Sequence, residues 1–137
     1  MKKTNILNKL RSSGLRPTKQ RVEIAKFLFN REKTFHFTVE SLGSQLAKKT
    51  SLKFALATIY NTVHAFKKAG HLSEVFLRGK NNTTYFDTNV SNHHHFFDSE
   101  TSELIDINES EIKFEKIPKA PTGKTIKNLE VIINLKN

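Results

Sequence analysis

Apolar residues recur at helical spacing in three stretches of the N-terminal half, and in shorter strand-like runs beyond them. Ile24, Phe27 and Leu28 share one side of a helix expected from Thr18 to about Asn30, with Lys19, Arg21 and Lys26 left polar. Pro17 disfavours helix at Arg16, and Thr18 is placed to cap the amides that follow. A second helix is expected from an N-cap at Thr38 to about Lys48 or Lys49, with Glu40 in its first turn and Val39, Leu42, Gly43, Leu46 and Ala47 as its inward stripe. The third covers roughly Leu56 to Ala69, buries Ile59, Val63 and Phe66, and stops at Gly70. Its opposite face carries Thr58, Tyr60, Asn61, His64, Lys67 and Lys68.

After Gly70 the pattern changes period. Leu72 to Leu77, the turn Arg78 to Asn82, and Thr83 to Phe86 read as strand, turn and strand. Helices followed by a hairpin make a winged helix, so residues 1–86 form one expected domain. A polar stretch, 87–92, reads as a hinge. Residues 93–137 follow, with expected strands at His94–Phe97, Leu104–Ile107 and Leu129–Leu135, while Pro118, Pro121 and Gly123 bar any long helix. The expected fold class is α+β: an N-terminal winged helix-turn-helix, then a small α/β dimerisation domain. A segment this short buries little surface alone, so a homodimer is expected to complete its core.

Charge sharpens this division. Residues 1–86 hold 17 Lys and Arg against 4 Asp and Glu, whereas residues 87–137 hold 6 against 9. The net charge of +10 therefore originates in the first domain. Clustered cations of this kind match a polyanion, because phosphate neutralisation releases counterions. Double-stranded DNA is the expected partner. Within the helix pair 39–49 and 56–69, the second helix is the one expected in the major groove. Tyr60 and Asn61 are the base-proximal candidates, joined by Thr58, while Arg16, Lys19, Arg21, Lys67 and Lys68 are candidate phosphate anchors. The plainer alternatives are that Tyr60 packs on the wing and that the cations are ordinary surface charge.

The 137 residues include no Cys, which excludes disulfides, thiolate metal sites and a Cys-coordinated structural zinc. No run is long and apolar enough to span a membrane, and the basic start leads into no export core, so the cytoplasm is the expected location. No nucleophile constellation, His-Glu-x-x-His or phosphate loop is present, and an enzyme is not expected. Any metal must use His, Asp or Glu. The run His93-His94-His95 is the strongest such signal: in a strand, His93 and His95 point one way and His94 the other. His36, Asp87 and Asp106 are plausible further ligands. Imidazole suits zinc, iron and haem iron.

Together, Gly14-Leu15-Arg16-Pro17-Thr18-Lys19-Gln20-Arg21, His36-Phe37-Thr38-Val39-Glu40-Ser41-Leu42, Leu56-Ala57-Thr58-Ile59-Tyr60-Asn61-Thr62-Val63 and the histidine run resemble the ferric uptake regulator family. Within it, the absence of Cys and the stretch Tyr85–Asn89 before the histidines look like the iron response regulator branch. The resemblance implies a dimeric transcriptional regulator, usually a repressor, of iron and haem metabolism, acting on an A/T-rich palindromic operator. It implies a sensory metal site at His36, Asp87, His94 and Asp106 for Fe2+, Mn2+ or Zn2+, and a haem or second metal site at His93, His94 and His95. Alternatives within the same frame are an Fe2+ or Mn2+ repressor without haem sensing and a constitutive DNA-binding protein.

The sequence departs from the family pattern in four places. The Cys-bound zinc and any Cys-Pro haem motif are impossible, Phe96 or Phe97 stands where many relatives carry another His, and Ala55 replaces a capping Ser or Gly.

Overall fold

The computed structural model describes residues 3–77 and 83–137. The chain divides into two compact units, Met1–Val90 and Ser91–Asn137, with the division falling in the polar stretch 87–92. The expected turn Arg78–Asn82 lies outside the described residues.

The first unit opens with a helix that the sequence pattern did not single out, α1 (Lys3–Ser12), which buries Ile6 and Leu10 completely. Helix α2 (Lys19–Phe29) begins where the Thr18 hydroxyl accepts the Arg21 amide at 3.2 Å. A two-residue strand, β1 (His36–Phe37), precedes α3 (Val39–Lys49). There Thr38 and Ser41 cap each other's amides, with Ser41 N donating to Thr38 Oγ1 at 3.0 Å and Thr38 N to Ser41 Oγ at 2.9 Å. Ala47, expected on the inward stripe, is exposed. Close packing of α3 on the next helix occurs at Gly43, where an added Cβ would come 3.4 Å from Ile59 Cδ1.

Helix α4 (Leu56–Lys68) buries Ile59, Thr62, Val63 and Phe66. At its C-terminus, Gly70 adopts φ +87°, and the Gly70 and His71 amides return to the Lys67 and Phe66 carbonyls at 3.0 and 2.9 Å. Its N-terminus has no comparable cap: Ala55 makes no side-chain hydrogen bond. Strands β2 (Ser73–Phe76) and β3 (Thr84–Asp87) pair antiparallel, and β1 joins the other edge of β3 to give the order β1-β3-β2. The helices and this sheet share one core, in which Phe37, Phe66 and Phe86 are fully buried. Phe35 stacks on Phe37 and Phe37 on Phe86 at centroid distances of 5.6 and 5.7 Å, locking the short β1 onto the sheet.

The second unit is a three-stranded sheet of order β5-β4-β6, built from β4 (His94–Asp98), β5 (Glu103–Ile107) and β6 (Ile132–Leu135). β5 runs antiparallel and β6 parallel to β4. Its helical content is a single 3-10 turn, Glu109–Glu111, and the link to β6 passes through Pro118, Pro121 and Gly123 without regular structure. The last strand is shorter than the expected Leu129–Leu135. Glu130 and Val131 instead make side-chain and backbone contacts to β4.

Two consequences are measurable. Ala55 already holds the extended backbone of an N-cap, φ −66° and ψ 143°, so Ala55→Ser is expected to stabilise the chain by about 0.5–2 kcal/mol in urea unfolding. An unchanged midpoint would show that α4 begins elsewhere. Burial, then the charge of Lys9, push the His71 pKa down, while its Nε2 lies 2.8 Å from Ser13 Oγ. The folded state therefore prefers the neutral ring. This contribution is complete above about pH 6.5, the unfolded value, and is lost as pH falls through the depressed folded value. His71→Gln should flatten the stability profile between about pH 7 and pH 5, and parallel profiles would remove His71 as the cause.

Candidate metal centre and nucleic-acid face

Ligand-type side chains gather in each unit, and strand register explains both groups. In the first unit, β1 sets His36 directly opposite Asp87 on β3, and His36 Nε2 lies 3.0 Å from Asp87 Oδ2. The Asp87 side chain is fully buried and its other oxygen, Oδ1, accepts the Asn89 amide at 2.9 Å. Thr88 fastens the end of this pairing: its hydroxyl accepts the Phe35 amide at 2.9 Å, and its own amide donates to the Phe35 carbonyl at 3.1 Å. The carboxylate thus sits at the end of the central strand, held on both of its oxygens. A buried carboxylate needs such partners, because desolvation without them is costly.

In the second unit, β4 and β5 set His95 opposite Asp106. Both His93 Nε2 and His95 Nε2 lie 3.2 Å from Asp106 Oδ1, and the two rings meet at 4.4 Å in an edge-to-face arrangement. On its far side, His95 Nδ1 lies 3.2 Å from Glu130 Oε1. Two imidazole nitrogens and a carboxylate oxygen converging at this spacing fit a borderline divalent ion such as Zn2+, Fe2+ or Mn2+.

His94 stands apart from the other two imidazoles of the run. It points to the opposite face of β4, is 3% exposed, and packs edge-on against Phe114. Its Nδ1 accepts the Val131 amide at 2.9 Å, which places the proton on Nε2 and leaves no lone pair for an ion or haem iron. His93, and not His94, lies beside Asp106. Glu130 was not singled out from the sequence. Its position one residue before a β-branched strand was the available signal, but the parallel pairing that carries it to His95 has no local signature.

The expected nucleic-acid residues lie on the first unit. Tyr60 is 53% exposed, Asn61 and Lys68 are exposed, and Thr58 is half-buried. His64 stacks against Tyr60 at 4.3 Å and meets Phe86 edge-on, so the Tyr60 ring stands on a packed base. These rings border an open cavity of about 460 Å³ shared with Glu40, Glu74 and Thr84. Lys67 is exposed but forms an ion pair with Glu74 of β2. Arg16 and Lys19 are exposed, whereas Arg21 donates to the Arg16 carbonyl at 3.2 Å. No helix among the described residues is long and apolar enough to cross a membrane.

Known proteins place the chain. The peroxide-responsive repressor PerR of Staphylococcus epidermidis is 31% identical over 97 residues, which cover 71% of this chain and 61% of that protein. The PerR of Staphylococcus aureus strain Mu50 is 30% identical over the same length, covering 62% of its own chain, so the match spans less than two thirds of these relatives. Among solved structures, the ferric uptake regulator of Vibrio cholerae superposes with a TM-score of 0.70 at 18% identity, covering 96% of this chain and 98% of that one. The ferric uptake regulator of Pseudomonas aeruginosa with manganese gives 0.69 at 23% identity, covering 100% and 98%. These structural likenesses establish a shared fold: an N-terminal winged helix and a dimerisation domain. Because the description of the Ferric uptake regulator family matches residues 12–134, nearly the whole chain, the protein belongs to that family, whose members are transcription regulators and not enzymes.

Proposed function

We propose that the chain is a dimeric, metal-responsive DNA-binding regulator in which His93, His95 and Asp106 of the second unit ligate a divalent ion. The observation that carries this reading is the convergence of His93 Nε2 and His95 Nε2 on Asp106 Oδ1, each at 3.2 Å. Within the first unit, the paired His36 and Asp87 offer a nitrogen and an oxygen of the same chemistry. Imidazole and carboxylate donors suit Mn2+, Fe2+ or Zn2+. The Pseudomonas relative holding manganese supports the same class of ion. Residues 1–86 form the DNA-binding domain, 87–92 the hinge and 93–137 the sensing and dimerisation domain.

Metal occupancy in the sensing domain then governs operator binding by the dimer. In a dimer, one orientation matches the half-site spacing of a palindromic, A/T-rich operator, so metal shifts a population and not a single contact. Tyr60 and Asn61 read bases, supported by Thr58, while Arg16, Lys19, Arg21, Lys67 and Lys68 meet phosphates. The ion pair with Glu74 makes Lys67 the weaker anchor and Lys68 the stronger.

Haem sensing draws less support, because His94 is held with its proton on Nε2 and the other two imidazoles both face Asp106. A peroxide-responsive variant of the same regulator is favoured by the 31% identity to a repressor of that kind.

Asp106→Ala is expected to weaken Mn2+ binding by at least tenfold in a competition titration while leaving far-UV circular dichroism unchanged. Stoichiometric binding at wild-type affinity would overturn the ligand set. A haemin titration in parallel should give no saturable Soret band, and peroxide added to the Fe2+-loaded, DNA-bound protein separates the peroxide-responsive reading from metal response alone. For the nucleic-acid face, Lys68→Ala should lower affinity for all duplexes alike and reduce the slope of log K against log salt by about 0.9. Tyr60→Ala should instead narrow the gap between operator and random DNA. If both variants changed only the thermal midpoint, this face would not be the DNA-binding one.

A further inference from the structure

We propose that the entry to β6, Glu130 and Val131, assigns opposite roles to two neighbouring histidines, making His95 a ligand and keeping His94 from being one. This inference rests on the metal reading above and identifies what orients its ligands.

A carboxylate can only accept a hydrogen bond, so Glu130 Oε1, 3.2 Å from His95 Nδ1, requires the proton of that nitrogen. The other nitrogen, Nε2, is the one that faces Asp106. The His95 amide also donates to the Val131 carbonyl at 3.1 Å, so the same two residues hold both the ring and the backbone of His95. At His94 the polarity reverses. The Val131 amide can only donate, and it lies 2.9 Å from His94 Nδ1, so that nitrogen must offer its lone pair and the proton sits on Nε2. Strand alternation separates the two rings by face, and the strand entry separates them by tautomer.

Glu130 therefore acts as a positioning residue: it touches His95 on the side away from Asp106. Carboxylates in this relation to a ligating imidazole fix its orientation and raise its basicity, and their loss typically costs about 10- to 100-fold in metal affinity. The Glu130 side chain is 30% exposed, so solvent weakens its charge but not its geometric demand on the ring.

The test is an Mn2+ competition titration of the full chain, comparing wild type with Glu130→Ala and Glu130→Gln, and with Glu115→Gln as an exposed carboxylate outside the cluster. Glu130→Ala should raise the Kd about 10- to 100-fold. Glu130→Gln should raise it less, because the amide oxygen still accepts the Nδ1 proton, and Glu115→Gln should leave it unchanged. In the Zn2+-loaded wild type, long-range nitrogen–proton correlation spectra should place the His95 proton on Nδ1 and the His94 proton on Nε2. This readout does not depend on variant stability. Unchanged Mn2+ affinity in Glu130→Ala, equal losses in the Ala and Gln variants, or a His94 proton on Nδ1 each overturns the proposal. Wild type that binds no Mn2+ overturns the metal reading instead.

Discussion

The pleat of β4 governs the chemistry of the second unit. Consecutive strand residues face opposite ways, so three adjacent imidazoles cannot act as one cluster. His93 and His95 turn towards Asp106, and His94 turns towards Phe114. Register adds the second constraint: a slip of one residue between β4 and β5 would set His95 opposite Ile105 or Ile107 in place of Asp106, and the carboxylate would move to the wrong face. Leu104, buried on the same face as Asp106, and Ile107, buried on the opposite face, would each exchange faces in such a slip, which opposes it. The same apolar residues that hold the strand therefore hold the ligand geometry.

The first unit reaches a similar result from different material. β1 is only two residues long and has no strand-like pattern of its own. It exists because Phe37 inserts between Phe35 and Phe86, and burial of a Phe side chain contributes about 1.5–3 kcal/mol. With Phe37 seated against Phe86, the neighbouring pair is necessarily His36 and Asp87. An aromatic core contact thus delivers a histidine to a buried carboxylate, and Thr88 ties off the edge. Capping follows equally local rules: α3 carries a reciprocal Thr38–Ser41 cap, whereas α4, the helix with the exposed Tyr60, starts from a bare Ala55.

These details explain which features could be read from the residues. Helices α2, α3 and α4 were legible because each carries a periodic apolar stripe and a start or stop signal in Thr18, Thr38 and Gly70. The missed helix α1 has Ile6 and Leu10 one turn apart, too short a stripe to stand out within a basic segment. Ala47 fitted the helical template yet faces solvent, since a small side chain satisfies either environment. Among the ligand-type residues, His36, Asp87, His93, His95 and Asp106 were all visible by type. What could not be read was the choice between His93 and His94, because alternation fixes which residues share a face but not which face meets Asp106. Glu130 was hidden for a stricter reason: a parallel pair joins segments that need have no sequence relation.

The second unit has an interior unlike that of an ordinary small domain. Its buried apolar side chains are Leu104 and Ile107, and beside them lie His94 and His95, while Ile105, Phe114, Ile117, Ile126, Leu129 and Ile133 remain substantially exposed. Two imidazoles in such a core are tolerable only with partners, and Val131, Asp106 and Glu130 supply them. Without Cys, no thiolate metal site or disulfide reinforces the sheet. With so thin an apolar core, the sheet depends more than usual on its hydrogen bonds, and each polar partner of a buried imidazole contributes to holding the strands together. The buried imidazoles and their partners lie on the same strands, β4, β5 and the entry to β6, so side-chain hydrogen bonding and strand pairing hold one another in place. That shared dependence is why the same few contacts, Glu130 to His95 and Val131 to His94, bear on both the order of the sheet and the orientation of its histidines.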